Sequence, residues 1–227
     1  MVLLLLLLVV SLNQEGLYLQ QVKLGFDDPD GALSDWNNRH DTLCEWSGIK
    51  CDLETYSVDL SNANIVGPFH TIICRLPNLT NLSLSNNYIN SSLPDDISAC
   101  EKLQHLDLSE NYLVGPIPTM IANITTLRSL VLSRNNFSDD IPESFGRFQR
   151  LEELAPIGNL LNGTIPSVLV NFFTLRVLNL AYNPFTPSQI PSDIGNFTNL
   201  EFLCLTQSNL VSQIQVKFQR TCVPWGR

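Results

Sequence analysis

The chain has 227 residues, 44% hydrophobic and 15% charged, which describes an ordered protein with an apolar core and a polar surface. Its 13 Lys and Arg against 22 Asp and Glu leave a net charge of −9, so it has no electrostatic footprint for nucleic acid and is compatible with a basic partner. The length alone allows one or two domains.

Six leucines, Leu3 to Leu8, lead into Val9-Val10-Ser11. That apolar run is shorter than the roughly 20 residues a membrane span needs. It has the length of an export-signal core, and Val9-x-Ser11 offers small residues for cleavage, although no basic residue precedes it. A buried helix is the alternative, and nothing amphipathic supports it. Residues 1–11 are therefore read as a signal peptide. From Asn13 to Phe26 the apolar residues Tyr18, Leu19, Val22 and Phe26 recur at helical spacing, with Asn13 as a candidate N-cap. Asp27-Asp28-Pro29-Asp30-Gly31 ends that helix by turn chemistry. Leu33 and Trp36 follow, then Cys44-Glu-Trp46-Ser-Gly48-Ile-Lys-Cys51. Zinc pairs sit two to four residues apart, and His40, His70 and His105 are not spaced to complete a site. In an exported chain, a disulfide between Cys44 and Cys51 is the better reading.

From Leu79 the sequence repeats itself. Units start at Leu79, Leu103, Leu127, Leu151 and Leu175, with consensus L-x-x-L-x-L-x-x-N-x-L-x-G-x-I-P. This is a leucine-rich repeat, and a degenerate first unit precedes it at Val58, Leu60, Ile65 and Gly67. The expected fold is an α/β solenoid, a horseshoe or superhelix. It would have a parallel concave sheet, short helical or 3₁₀ convex segments and an N-terminal helical cap over residues 12–54 that covers the first repeat. Repeats would fill residues 55–214, the last unit incomplete: Ser208 replaces Asn, and Gln215 replaces Pro after Ile214. Residues 215–227 follow no template and read as the mark of a truncated transcript or gene model, with apolar core exposed behind the last repeat. Cys74 and Cys100, on the far side of adjacent repeats, form either a second bridge or two small buried thiols. The pairing of Cys204 and Cys222 is left open.

The ninth residue of each full unit is Asn: Asn87, Asn111, Asn135, Asn159 and Asn183. An amide both donates and accepts, so a ladder of them can serve backbone groups orphaned where each strand ends. Pro156 stands where position 6 should be Leu, which predicts the loss of one backbone donor and one core side chain. The unit from Leu175 is one residue longer near Thr186-Pro187-Ser188-Gln189. N-x-S/T sequons fall at Asn78, Asn81, Asn90, Asn123, Asn136, Asn162 and Asn196, candidate acceptors in an exported chain. Asn81 alone points to the strand wall, which leaves the inner surface nearly free of sugar.

His105, Asp107 and Ser109 alternate on one strand and match a hydrolytic triad in identity. A triad needs His between Asp and Ser, and next-but-one strand neighbours are about 6.5–7 Å apart. No phosphate-binding loop, metalloprotease or kinase motif is present, so no enzyme and no cofactor is expected in this chain. The concave wall carries Asp107, Ser109, Glu110, Val131, Ser133, Arg134, Asn179, Tyr182, Thr206 and Gln207 as candidate ligand surface. A solvated sheet face with no ligand is the competing account.

The Cys44-x-Trp46-x-Gly48-x-x-Cys51 cap and the L-x-G-x-I-P units resemble the ectodomains of plant leucine-rich-repeat receptor kinases. Ser11-Leu-Asn-Gln-Glu-Gly16, Leu19-Gln-Gln-Val-Lys23, Asp27-Asp-Pro29, Ile73-Cys-Arg-Leu76 and Asn179-Leu-Ala-Tyr-Asn-Pro-Phe185 are similar to the HAESA-like group. The resemblance implies a receptor that binds a secreted peptide hormone on its concave face and recruits a shorter co-receptor kinase. It also implies signalling through a Ser/Thr kinase that this chain lacks. In the family most peptide contacts come from later repeats, so no hormone-binding residue is carried over. The location implied is extracellular, or the outer face of the plasma membrane. A secreted short repeat protein, such as a polygalacturonase inhibitor of the cell wall, is the alternative.

Overall fold

The computed structural model describes residues 14–37, 42–52, 55–189, 198–209 and 220–222. The proposed export segment, Asn13, His40, Asn196, the Ile190-Pro191 step and the break at Ile214 lie outside them. The helix Gln14–Gly25 buries Leu19 and Val22 against the first repeat while Leu24 faces out. It stops where Asp28 accepts the Ala32 and Leu33 amides at 2.8 and 2.9 Å. These two bonds tie the turn that carries Leu33 and Trp36 into the cap core. Trp36 stacks on Trp46 with ring centroids 5.8 Å apart, and its indole N–H donates to the Ser47 carbonyl at 2.8 Å. Cys44 and Cys51 are bonded, with Cα atoms 5.5 Å apart.

The cap also supplies the first strand. Ile49–Asp52 pairs antiparallel with Thr55–Asp59, and Gly48 makes the entry. Its φ is +77°, and a Cβ there would lie 2.4 Å from the Asp59 carbonyl oxygen, so only glycine fits. Tyr56, on the first repeat's strand, has its phenol held above the ordinary 10.0, by burial first and by the Glu15 carboxylate second. The unfolded chain loses that proton at a lower pH than the folded one. The Tyr56 contribution is therefore complete below pH 10 and is lost as pH rises through the folded value.

After that antiparallel start the sheet is parallel. Leu79–Ser83, His105–Asp107, Ser129–Val131, Glu153–Ala155, Val177–Asn179, Phe202–Cys204 and Arg220–Thr221 follow in order, making nine strands in all. Register is one repeat per strand: Leu82, Leu106, Leu130, Leu154 and Leu178 align, all essentially fully buried. A second, lateral set of short strands runs Val66–Gly67, Tyr88–Ile89, Val114–Pro116, Asn136–Asp139 and Leu160–Leu161. On the convex side the first five-residue 3₁₀ turn, Thr71–Arg75, follows His70, and the next four begin after a proline in extended conformation, Pro94, Pro118, Pro142 or Pro166. Proline fixes its own φ near the extended value and keeps its predecessor out of the helix, so the chain reaches the far side before it coils. The Cys74–Cys100 bond ties two successive convex turns, with Cα atoms 4.4 Å apart.

The asparagine ladder closes the stack. Each of the five amides is at most 6% exposed. The Asn135 oxygen accepts the Leu113 N–H at 3.0 Å. Its nitrogen donates to the carbonyls of Leu108, Leu132 and Ser133 at 2.9, 3.2 and 3.3 Å. Asn87, Asn111, Asn159 and Asn183 repeat this scheme. Each therefore sews its own repeat to the one before it. In the last repeat Ser208 is equally buried, but its hydroxyl reaches only the Leu205 carbonyl of its own unit.

Three expectations meet the structure here: the first and third need correction, and the second, a local irregularity in the long unit, holds. Pro156 is buried, so its ring stays in the core in place of a leucine and only the amide donor is lost. Leu84, Leu108, Leu132 and Leu180 each donate across to the next strand, and Pro156 cannot. The pairing of Glu153–Ala155 with Val177–Asn179 accordingly shrinks to two positions, against three on its other side. Pro156→Leu should create a newly protected amide at 156 and leave global stability within about 1 kcal/mol. Hydrogen exchange checks this, and an amide that exchanges freely would sink it. Second, the long unit shows its irregularity in the lateral set. Thr186 bonds back to the Asn162 carbonyl through its amide at 3.1 Å and its hydroxyl at 2.7 Å, and no lateral strand is described after Leu160–Leu161. Third, the tail does not lie wholly outside the repeat scheme. Arg220–Thr221 adds the ninth strand beside Phe202 and Leu203, and Cys222 is bonded to Cys204 with Cα atoms 5.0 Å apart, so this part of the final repeat is covered.

Candidate binding surface

Alternation along each strand puts positions 3 and 5 of every repeat on the concave wall, with positions 7 and 8 at its edge. A shallow depression of about 360 Å³ lies there, lined by Asp59, Asn81, His105, Asp107, Val131 and Glu153 among others. Of the ten residues picked from the sequence, Asp107 and Val131 line it. Ser109, Glu110, Ser133 and Arg134 stand at the ends of those strands, whereas Asn179, Tyr182, Thr206 and Gln207 belong to later repeats and do not enter it.

Several of these side chains are already engaged. Asp107 accepts from the Ser109 amide at 2.9 Å and hydroxyl at 2.6 Å, and Asp59 holds Ser61 the same way at 3.1 and 2.6 Å. The separation argument against a triad therefore fails for these side chains, which lean together; the order of the groups is what rules the triad out. Asp107 bonds Ser109 directly, without His105 between them. Ser133 donates to the Ala155 carbonyl at 2.8 Å, and Arg134 pairs with Glu110 at 2.8 Å. Both partners of that pair are about half exposed, so it contributes little to stability and is open to exchange for a ligand charge.

Sequence reasoning passed over Asp59, Ser129 and Glu153. Ser129 donates to Glu153 at 2.7 Å on the depression floor. It also passed over a row of alternating charge at position 2, where Arg128 pairs with Glu152 and Arg176 with Glu201. Period-two alternation would have found Asp59, Ser129 and Glu153. Position 2 shares the parity of the buried leucines, so the charge row shows in the sequence only as opposite charges recurring one repeat apart.

Position 8 carries a constraint that the consensus hides. Asn62, Asn86, Glu110, Arg134, Gly158, Tyr182 and Gln207 all have φ between 51° and 64°. The chain must take this left-handed step to bring the following Asn inward, and it does so even where the residue is not glycine or asparagine. A β-branched residue suffers most there. Glu110→Val or Tyr182→Val should cost about 1–2 kcal/mol while Glu110→Gly is close to neutral, readable in a urea melt. Equal costs for Val and Gly would contradict the backbone explanation.

Among the described residues no group of His, Cys, Asp or Glu is arranged to hold a metal, and all six cysteines are in disulfides. No helix among them is long and apolar enough to cross a membrane.

Comparison with known proteins agrees with this architecture. The model of the leucine rich repeat N-terminal domain matches residues 12–52, and leucine rich repeat models match 54–113, 126–148 and 174–197. Receptor-like protein kinase HSL1 of Arabidopsis thaliana is 58% identical over 99 residues, which is 42% of this chain and 10% of that protein. The Arabidopsis receptor kinase HAESA, solved with the peptide hormone IDA and the co-receptor SERK1, superposes with a TM-score of 0.85 at 52% identity. That match covers 88% of this chain and 34% of the other. A chain of the Arabidopsis BIR3–SERK2 complex matches at 32% identity with a TM-score of 0.66, over 74% of this chain and 92% of its own length. The chain thus spans about a tenth of the length of the curated receptor kinases it matches. By cap, repeat and superposition, it belongs to the leucine-rich-repeat ectodomains of the plant receptor-like kinases, alongside their HAESA-like members.

Proposed function

We propose that this chain is an extracellular recognition surface that binds a secreted peptide in extended form along its concave wall, in concert with a shorter leucine-rich-repeat co-receptor. The observation that carries the reading is the superposition of 88% of the chain on an ectodomain solved with a peptide hormone and a co-receptor. The wall's chemistry supports it. Strands about 4.8 Å apart and a peptide rising about 3.3 Å per residue bring roughly three ligand residues past every two repeats. The first repeats offer Asp59 and Asp107 beside His105, and from the Leu151 unit onward the half-buried Ile157 and the buried Ala155 and Ala181 follow, with Glu153 at the boundary. A peptide with a basic or donor-rich end over the first group and an apolar end over the second fits this gradient.

Delivery by the segment 1–11, and a place on the cell exterior, belong to the same proposal. The test is calorimetric titration of the secreted chain with the IDA peptide, alone and with the SERK1 ectodomain. Binding should weaken about tenfold, or 1.4 kcal/mol, in Asp107→Lys and in Ile157→Asp. No binding in either titration, or binding untouched by both substitutions, would overturn it.

A further inference from the structure

The lateral strands alternate as the concave ones do. Ile65, Ile89, Leu113, Phe137 and Leu161 point inward and are fully buried, so the residues on either side of each face outward together. That outer flank exposes Tyr88 by 45%, Tyr112 by 53%, Val114 by 42% and Leu160 by 51%. Tyr88 and Tyr112 stack on each other with ring centroids 5.8 Å apart. Exposed apolar side chains gathered along one flank in this way mark a place that something covers.

The same two outward columns carry three sequons, Asn90-Ser-Ser92, Asn136-Phe-Ser138 and Asn162-Gly-Thr164, whose asparagines are all exposed. They interleave with the apolar residues. Asn136 is the direct cross-strand partner of Val114. The Tyr112 amide donates to the Ile89 carbonyl at 2.8 Å, which sets Asn90 beside Tyr112 in the same register. Asn162 lies two residues from Leu160 and so shares its face. Asn136 also holds the repeat position that Tyr88 and Tyr112 occupy in the two preceding units, so a group projecting from its amide extends their stack. Asn123 differs, being on a convex turn where its amide contacts Met120 Sδ at 3.8 Å and Arg147 at 3.3 Å.

We propose that this flank is a sugar-covered face, in which N-linked glycans on Asn90, Asn136 and Asn162 lie over Tyr88, Tyr112, Val114 and Leu160. The first sugar on Asn136 stacks on the Tyr112 ring. The C–H face of an N-acetylglucosamine ring is apolar and weakly positive, which suits the negative face of tyrosine. The co-reactant is a polyprenyl-pyrophosphate oligosaccharide of the secretory pathway. The asparagine Nδ2 forms a bond to C1 of the reducing-end sugar, and the C1–O bond to pyrophosphate breaks. The amide gives up one proton, and polyprenyl pyrophosphate leaves. The inference rests on the export reading above. The cover keeps the lateral flank out of protein contacts and leaves the concave wall as the open face.

The test uses the full chain secreted from eukaryotic cells, with glycopeptide mass spectrometry for occupancy and a hydrophobic dye for exposure. Asn90, Asn136 and Asn162 should all be occupied. Trimming each glycan to its first sugar should leave dye fluorescence low. Complete enzymatic removal should raise it at least about twofold, and Tyr112→Ser should suppress that rise. Sugar at Asn123 or Asn78 with none on the flank would overturn the proposal, as would full occupancy with dye binding indifferent to removal. So would a dimer, or a captured partner protein, seated on the flank while the glycans are intact. No sugar at any sequon of the secreted chain would overturn the proposal too, whereas failure of the chain to be secreted under its own residues 1–11 would overturn the export reading.

Discussion

Asn135→Ala should lower stability by about 3 kcal/mol, the upper end of the range for a buried polar group left without its partner. The side chain is 6% exposed and makes four hydrogen bonds. One accepts the Leu113 amide, which has no water to turn to once the side chain is gone. The other three serve carbonyls, whose loss is milder because each retains other acceptor capacity. The bond to Leu108 crosses to the neighbouring repeat, so the deletion weakens an interface as well as a unit, and in a stacked array stability is a sum of both. For a chain of this size the melting temperature should fall by roughly 6–12 °C. Asn135→Ser is the informative companion. At Ser208 a hydroxyl satisfies only its own unit, so Ser at 135 should recover little of the loss. A urea melt combined with exchange of the Leu113 amide measures both effects. A change under about 0.5 kcal/mol would mean that water or backbone relaxation replaces the amide.

The ladder was legible because its signal is a residue type at a fixed spacing whose chemistry has one economical use. Asn at the ninth position of each unit, alternating Leu and the Ile-Pro step each specify a local backbone, and the stack follows from repetition. The cap was legible for a similar reason, since Cys44 and Cys51 are close in sequence and close in space. The pairing of Cys204 with Cys222 was not, because it depends on a ninth strand that no repeat pattern announces. Pro156 was half legible. Its missing amide can be read from the residue, but the ring's place in the core depends on packing that the sequence does not state. The concave surface was the least legible. Which residues face inward follows from alternation, yet Asp107 choosing Ser109 and Ser129 choosing Glu153 are side-chain pairings decided by geometry. Those pairings matter for function. A wall whose acids are already held by neighbouring hydroxyls and amides presents fixed acceptors, and ordering them costs a ligand little.

Trp46→Ala should have the largest effect of any single change in the cap, about 3–5 kcal/mol. Trp46 is 2% exposed and stacks on Trp36, which is 1% exposed, so truncation leaves a large cavity that the disulfide beside it keeps from collapsing. Removing the Cys44–Cys51 bond by a double Cys→Ser change should cost less, about 2–3 kcal/mol, because it closes a loop with a sequence separation of only 7. The two losses should not add. Without the disulfide, the chain around Trp46 can relax into the cavity, and residues in contact show coupled effects. The damage should also be local. The cap touches the sheet through Ile49–Asp52, paired with Thr55–Asp59, and each later repeat meets only its neighbours. Amides of Thr55–Asp59 should therefore lose protection well before those of Val177–Asn179 in native-state hydrogen exchange. Equal loss at both ends would mean that the solenoid melts as one unit, and that the cap holds the whole stack rather than its first repeat.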